Sequence, residues 1–129
     1  MIRTYISENE PRMLDELFSL IRIPSISAKP EHHDDMLACA ERWRQLLLET
    51  GADEAMVMPS QGNPMVFAQK TVNPKAKTVL IYAHYDVMPA EPLKLWKSAP
   101  FEPEVRDGHI WARGADDDVD ALLDEREHV

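Results

Sequence analysis

The residues best suited to chemistry form two short groups in the second half of the chain, His84-Tyr85-Asp86 and Asp116-Asp117-Asp118. In the first group, the histidine and the aspartate are two positions apart, so a strand would project both side chains from the same side. One imidazole and several carboxylates together supply the nitrogen and oxygen ligands that zinc, cobalt and manganese accept. If the two groups meet in the fold, they form a candidate metal site.

The elements around these groups predict how they meet. Residues 78–83, TVLIYA, are apolar or β-branched and carry no charge, which is typical of a strand buried on both faces inside a sheet. In open α/β sheets, ligands bind beyond the carboxyl ends of the strands, which is where His84 and Asp86 would lie. Further along, Asp107-Gly108 predicts a tight hairpin that can fold the acidic group back toward them.

The first half of the chain predicts two helices and two short strands. The first helix spans residues 7–21, with Asn9 as a plausible cap and Pro11 tolerated in its first turn. The second helix begins at residue 31 or 34 and ends near Thr50. Because two connections are too short for a crossover helix, we expect a mixed sheet and an α/β fold. The remaining predicted segments are a loop at 25–30 and strands at 55–58 and 65–71.

The stretch of residues 84–118, HYDVMPAEPLKLWKSAPFEPEVRDGHIWARGADDD, resembles the signature of the M20 metallopeptidases, a family of two-metal aminoacylases, carboxypeptidases and dipeptidases. The tyrosine of HYD and the LW-S-PFEP-RDG-ARGA pattern are more similar to the carnosinase-like dipeptidase branch than to the deacetylase and desuccinylase branches. Residues 20–27, LIRIPSIS, resemble the N-terminal segment of the family. The resemblance implies that residues 1–118 are the N-terminal part of an M20-type catalytic domain, with two helices followed by a mixed sheet.

The resemblance also implies roles for three residues. His84 is a metal ligand, and Asp117 is the carboxylate that bridges two metal ions, because it occupies the aspartate position of the family pattern Arg-Gly-Ala-x-Asp-[Asp/Asn]-Lys-Gly. Asp86 is the implied catalytic residue of this stretch. It supports the metal site and the general base and does not itself bind metal. The implied cofactor is a divalent metal, zinc first and manganese or cobalt as alternatives, with one or two ions in the intact protein. The implied substrates are dipeptides or short peptides.

The resemblance ends at Asp118, where the family continues with Lys-Gly and this chain has Val119-Asp120. Residues 119–129 are therefore interpreted as a divergent acidic tail. The general base, the remaining ligands and the second domain, through which the intact parent is expected to form a homodimer, have no counterpart in this sequence. Because a catalytic zinc needs about three protein ligands and a base must activate the water, we expect the 129-residue chain to be inactive by itself.

Two other functions fit the same residues. One is that of a noncatalytic chain, truncated or pseudogene-derived, that binds metal weakly or associates with a full-length subunit. The other is that of an N-acyl amino acid deacylase, which would prefer an acyl amide over a dipeptide.

Composition narrows the expected partners and environment. The chain carries 23 Asp and Glu against 14 Lys and Arg, and most of this acidic excess lies after residue 115. Because the remaining residues are mildly acidic and not basic, no nucleic-acid partner is expected. The single Cys39 excludes an internal disulfide, fits a reducing compartment and is interpreted as core packing. Because the sequence shows neither a long apolar run nor a signal-type start, we expect a cytoplasmic protein that does not bind membranes.

Overall fold

The computed structural model describes residues 1–115. Within these residues the chain forms two long helices, two short 3₁₀ turns and two antiparallel strand pairs. The two predicted helices are thereby confirmed. The elements in chain order are helix α1 (Ile2–Ile21), a 3₁₀ turn (Pro30–His32), helix α2 (His33–Glu49), strands β1 (Glu54–Met58) and β2 (Met65–Gln69), a second 3₁₀ turn (Leu93–Leu95), and strands β3 (Glu104–Arg106) and β4 (His109–Trp111).

Helix α1 begins five residues earlier than predicted, at Ile2 instead of residue 7. The Ser7 hydroxyl and the Asn9 side-chain amide each donate a hydrogen bond to the carbonyl four residues back, at 3.0 and 2.8 Å. Because these bonds lie along the helix, both residues continue it instead of capping it. The prediction of a cap at Asn9 is therefore wrong, and Pro11 lies in the helix interior instead of the first turn.

Helix α2 packs against the hairpin of β1 and β2, which pair in antiparallel register from Glu54 opposite Gln69 to Met58 opposite Met65. The buried side of the helix recurs at three- and four-residue intervals, as an amphipathic helix requires. The buried apolar residues of the described chain are Ile21, Ile26, Met36, Cys39, Ala40, Leu46 and Ala90. The core therefore lies along α2, and the interpretation of the cysteine as core packing is confirmed.

Residues 78–83 do not form the buried strand that the sequence predicts. No strand among residues 1–115 pairs with them, and the side chains of residues 79–82 are 79% to 90% exposed. A central strand needs hydrogen-bonded neighbours on both edges, and the described part of the chain supplies none here. For the same reason, the strand pairs that do form are two separate antiparallel ones where a mixed sheet was predicted.

The predicted hairpin at Asp107-Gly108 is confirmed. Both turn residues have positive φ, 52° and 76°, as a two-residue turn of this handedness requires. The long connection before β3 contains one regular element, the short 3₁₀ turn at Leu93–Leu95. No helix within residues 1–115 is both long and apolar enough to cross a membrane.

Candidate metal-binding site

His84 and Asp86 lie side by side on the segment that follows the exposed apolar run. The His84 Nδ1 atom is 3.2 Å from the Asp86 Oδ1 atom and 3.1 Å from the Asp86 carbonyl oxygen. Because both of these oxygens are acceptors, the proton of the neutral ring lies on Nδ1, and the lone pair lies on Nε2. An imidazole in this tautomer carries on Nε2 a lone pair of the kind that divalent metals bind. The two side chains are partly exposed, at 32% and 40%.

The loop after helix α1 fixes this segment from one side. Ser25 is 2% exposed, and its hydroxyl donates a hydrogen bond to the Tyr85 carbonyl oxygen at 2.8 Å. The Val87 amide donates to the Ser25 carbonyl oxygen at 2.9 Å. The Ser27 hydroxyl donates to the Asp86 Oδ2 atom. These hydrogen bonds join two parts of the chain that are far apart in sequence and set the position of the histidine segment.

The local sequence explains the shape of this loop. Pro24 cannot continue helix α1, and the chain turns tightly there: the Ser25 amide donates to the Ile23 carbonyl and the Ile26 amide donates to the Pro24 carbonyl, both at 2.7 Å. Ile26 is 4% exposed and anchors the loop in the core between the two serines. The sequence predicts only a loop here, so the role of the serines was missed. The signal that could have indicated it was the likeness of residues 20–27 to the family's N-terminal segment.

Tyr85 anchors the segment from another side. Its hydroxyl donates to the Pro64 carbonyl oxygen at 2.5 Å, just before β2. Burial raises the pKa of Tyr85 to about 12, with smaller contributions from Cys39 and Asp86, so the phenol stays protonated and continues to donate at neutral pH. Burial also raises the pKa of the Cys39 thiol, whose sulfur lies 4.0 Å from the Tyr85 carbonyl oxygen. A raised thiol pKa is the opposite of what a nucleophile needs, so Cys39 acts as a packing residue.

The hairpin of β3 and β4 returns the chain to the same segment. Gly114 has a φ of +73°, and its Cα lies so close to Val87 that an added Cβ would be 2.4 Å from the valine Cγ1 atom. The Arg113 amide donates to the Pro100 carbonyl oxygen at 2.7 Å, which fixes the return path. The chain just before the acidic group therefore touches the residue just after Asp86. Asp117, the predicted bridging ligand, lies outside the described residues.

The donors within residues 1–115 fit part of a metal site. A histidine whose second ring nitrogen is held by a carboxylate or a backbone carbonyl is the usual arrangement around protein-bound zinc. His84 Nδ1 hydrogen-bonds to the Asp86 carbonyl oxygen and lies 3.2 Å from the Asp86 carboxylate. Among the described residues, no group of three or more His, Cys, Asp or Glu side chains could hold a metal ion. The other described ion pair of a histidine, His32 Nδ1 with Asp35 Oδ2 at 2.6 Å, lies at the start of α2.

Known proteins resemble this chain over most of its length. Residues 80–123 match the family described as Peptidase family M20/M25/M40. A cysteinylglycine-S-conjugate dipeptidase from Corynebacterium striatum is 33% identical over 112 residues, which are 87% of this chain and 25% of that protein. A succinyl-diaminopimelate desuccinylase from Acinetobacter baylyi is 36% identical over 115 residues, 88% of this chain and 28% of that protein. The chain thus spans about a quarter of the length of these curated relatives.

Two solved structures share the fold. Human carnosine dipeptidase 1 superposes with a TM-score of 0.79 at 26% identity, covering 93% of this chain and 28% of that one. An M20 family metallo-carboxypeptidase from Sulfolobus solfataricus superposes with a TM-score of 0.72 at 36% identity, covering 88% of this chain and 28% of that one. These likenesses confirm the predicted α/β fold class of a partial M20-type catalytic domain. The sequence match over residues 80–123, the relatives and the shared fold agree in their likeness to the M20 peptidase family.

Proposed function

We propose that the protein to which these residues belong hydrolyses dipeptides or short peptides with a divalent metal ion, zinc first and manganese or cobalt as alternatives. The observation that supports this most is the pairing of His84 Nδ1 with Asp86 inside the region that matches the family. Two of the similar proteins, from Corynebacterium striatum and human, are described as dipeptidases. The resemblance further supports a homodimeric parent whose dimer contacts lie outside these residues.

Each residue of the pair has a distinct proposed role. His84 binds the metal through Nε2, because its Nδ1 proton faces Asp86. Asp86 holds the ring in that tautomer and raises the basicity of Nε2, while its own Oδ2 accepts a hydrogen bond from Ser27. When bound, a divalent ion polarises the scissile carbonyl and lowers the pKa of a bound water. The role of Asp86 is therefore to support the site without ligating.

Asp117 is proposed as the second ligand, the carboxylate that bridges two ions. The resemblance carries this assignment, and the contact of Gly114 with Val87 supports it, because it brings the chain back to the His84 segment three positions before Asp117. One imidazole and one carboxylate do not complete a catalytic zinc site, which uses about three protein ligands. We therefore propose that the 129-residue chain does not hydrolyse peptides by itself.

An activity assay on two forms of the protein tests this proposal. The first form is the 129-residue chain, and the second is the longest polypeptide that the coding DNA yields across it. Both are stripped of metal, reloaded with zinc, manganese or cobalt, and incubated with a panel of dipeptides. We expect turnover by the longer form alone, lost in His84→Ala and retained in His109→Ala. Turnover by the short chain, or a longer form that cleaves no dipeptide with any of the metals, contradicts the proposal.

A second candidate reaction is the hydrolysis of N-acyl amino acids. The observation that favours it is the 36% identity to a succinyl-diaminopimelate desuccinylase, which exceeds the 33% identity to the dipeptidase over a similar length. Both reactions cleave an amide and need the same metal chemistry, so His84 and Asp86 serve either. The ratio of kcat/KM for a dipeptide to that for an N-succinyl amino acid separates them, and we expect the dipeptide to be preferred.

A further inference from the structure

We propose that Ser27 is a positioning residue of the metal site: it fixes the carboxylate of Asp86 so that the carboxylate faces the His84 ring. This inference rests on the proposed function, because it concerns the ligand that function assigns to His84. It assigns a role to a residue in a different part of the chain, 59 positions before the aspartate it binds.

The two oxygens of the Asp86 carboxylate have different partners. Oδ2 accepts the hydrogen bond of the Ser27 hydroxyl, and Oδ1 lies 3.2 Å from His84 Nδ1. The Asp86 side chain is 40% exposed, so without the bond from Ser27 its carboxylate could rotate about the side-chain torsions and be solvated by water. Because Ser27 holds one oxygen, the other is directed at the imidazole. The serine therefore sets the direction from which the ring is held.

Ser27 can do this because the loop that carries it is itself fixed. Ile26, the preceding residue, is 4% exposed and buried in the core. Ser25, which precedes Ile26, is 2% exposed. Its hydroxyl donates a hydrogen bond to the Tyr85 carbonyl at 2.8 Å, and its carbonyl accepts one from the Val87 amide at 2.9 Å. On the far side of Ser27, Lys29 forms an ion pair with Glu91. Contacts on both sides of Ser27 thus hold its hydroxyl beside Asp86.

The consequence for the ring is a single neutral tautomer. His84 Nδ1 donates its hydrogen bond to the Asp86 carbonyl oxygen at 3.1 Å, and the negative charge of the Asp86 carboxylate, 3.2 Å away, favours the proton on the same nitrogen. If the carboxylate turns away, the uncharged carbonyl alone holds the proton on Nδ1, without the favourable charge of the carboxylate. Loss of Ser27 should therefore let part of the population move its proton to Nε2, the nitrogen proposed to bind metal. The direct partner of a ligating histidine, here Asp86, changes metal affinity by about 10- to 100-fold, so its loss of position should weaken binding toward the lower end of that range.

The test is the tautomer of His84 in the metal-free 129-residue chain, read from the side-chain ¹⁵N shifts at a pH where the ring is neutral. His84→Gln identifies the signals by their loss. We expect one tautomer, protonated at Nδ1, in the wild type and in the control Ser7→Ala, whose hydroxyl bonds only within helix α1. In Ser27→Ala we expect a second tautomer protonated at Nε2, as in Asp86→Asn. Ser27→Thr, which retains the hydroxyl, should restore the wild-type state.

A parallel measurement of Zn²⁺ affinity distinguishes failure of this inference from failure of the proposed function on which it rests. We expect Ser27→Ala to weaken the zinc affinity of the longer polypeptide about tenfold and Ser27→Thr to restore it. If Ser27→Ala leaves both the tautomer and the affinity unchanged while His84→Ala abolishes binding, the positioning role is overturned and the metal site stands. If Ser27→Ala changes the tautomer but His84→Ala leaves zinc binding unchanged, the positioning role stands and the proposed function fails. Backbone amide shifts of each variant report whether it retains the fold.

Discussion

The Ser25 hydroxyl donates a hydrogen bond to the Tyr85 carbonyl oxygen across 60 positions of sequence, at 2.8 Å. This bond joins the loop after the first helix to the His84-Tyr85-Asp86 segment. It lies in the buried part of the molecule, since Ser25 is 2% exposed. Two sequence segments that resemble the same family are therefore in direct contact, and the first one serves as the support of the second.

Replacement of Ser25 by alanine should destabilise the fold more than replacement of an exposed serine. Ser25→Ala removes the donor to the Tyr85 carbonyl in a buried place, which costs about 1–3 kcal/mol of unfolding free energy. Ser7→Ala is the matched control, because that hydroxyl bonds to a carbonyl on the exposed face of α1, and it should change stability by about 0.5 kcal/mol or less. Urea unfolding followed by far-UV circular dichroism measures both. Equal effects of the two variants would refute the support role of Ser25.

Gly114 and Gly108 distinguish close packing from backbone strain. Both have positive φ, +73° and +76°, but only at Gly114 would a Cβ collide with a neighbour, the Cγ1 atom of Val87. An alanine at either position costs about 1–2 kcal/mol for the left-handed conformation alone. Gly114→Ala should cost more than Gly108→Ala, and Val87→Ala in the Gly114→Ala background should recover part of the difference. If the two single variants unfold at the same urea concentration, the hairpin does not pack against the His84 segment.

Cys39 should be unreactive in the folded chain. It is 2% exposed, and burial raises the pKa of its thiol above the ordinary 9.0. Between the pKa of the unfolded thiol and that of the folded thiol, Cys39 is protonated in the folded chain and ionised in the unfolded chain. The contribution of Cys39 to stability is therefore complete below the unfolded pKa and declines as the pH rises past it. We expect an aromatic disulfide reagent at pH 8 to label the native chain far more slowly than the urea-unfolded chain. Comparable labelling rates would show that the core along α2 is not formed.

The apolar run 78–83 should make the chain self-associate. Its central residues are 79% to 90% exposed and have no strand partner within residues 1–115. An exposed, uncharged and β-prone edge pairs readily with another copy. We expect sedimentation to show concentration-dependent association that Leu80→Lys reduces. Val72→Lys is the matched control, because Val72 is 85% exposed but lies outside the run, and it should leave the association unchanged. A wild-type chain that stays monomeric at every concentration would remove this expectation.

The sequence predicts those parts of the fold that are determined locally. Helical periodicity gives α2 and most of α1, and Asp107-Gly108 gives the last hairpin, because these elements need only near neighbours. The start of α1 is mispredicted, since Ser7 and Asn9 bond back to the helix as readily as they would cap it. The burial of residues 78–83 is also mispredicted, since it depends on strands that the described residues do not contain.

The candidate site divides in the same way. The proximity of His84 and Asp86 follows from their spacing of two, which any extended segment provides. The contacts of Ser25 and Ser27 with that segment span about 60 positions and depend on tertiary packing. They cannot be inferred from the spacing of residues in the sequence. The role of Asp117 stays a prediction, because it lies outside the described residues.

The most direct test of the account is a calorimetric titration of Zn²⁺ into the metal-free 129-residue chain, repeated with His84→Ala and Asp117→Ala. A partial site should bind zinc weakly, with less free energy than the roughly 10–16 kcal/mol of complete structural zinc sites, and His84→Ala should abolish that binding. Tight stoichiometric binding that both variants destroy would show that the site in this chain is complete. Zinc binding that is unchanged in His84→Ala would show that His84 is not a ligand.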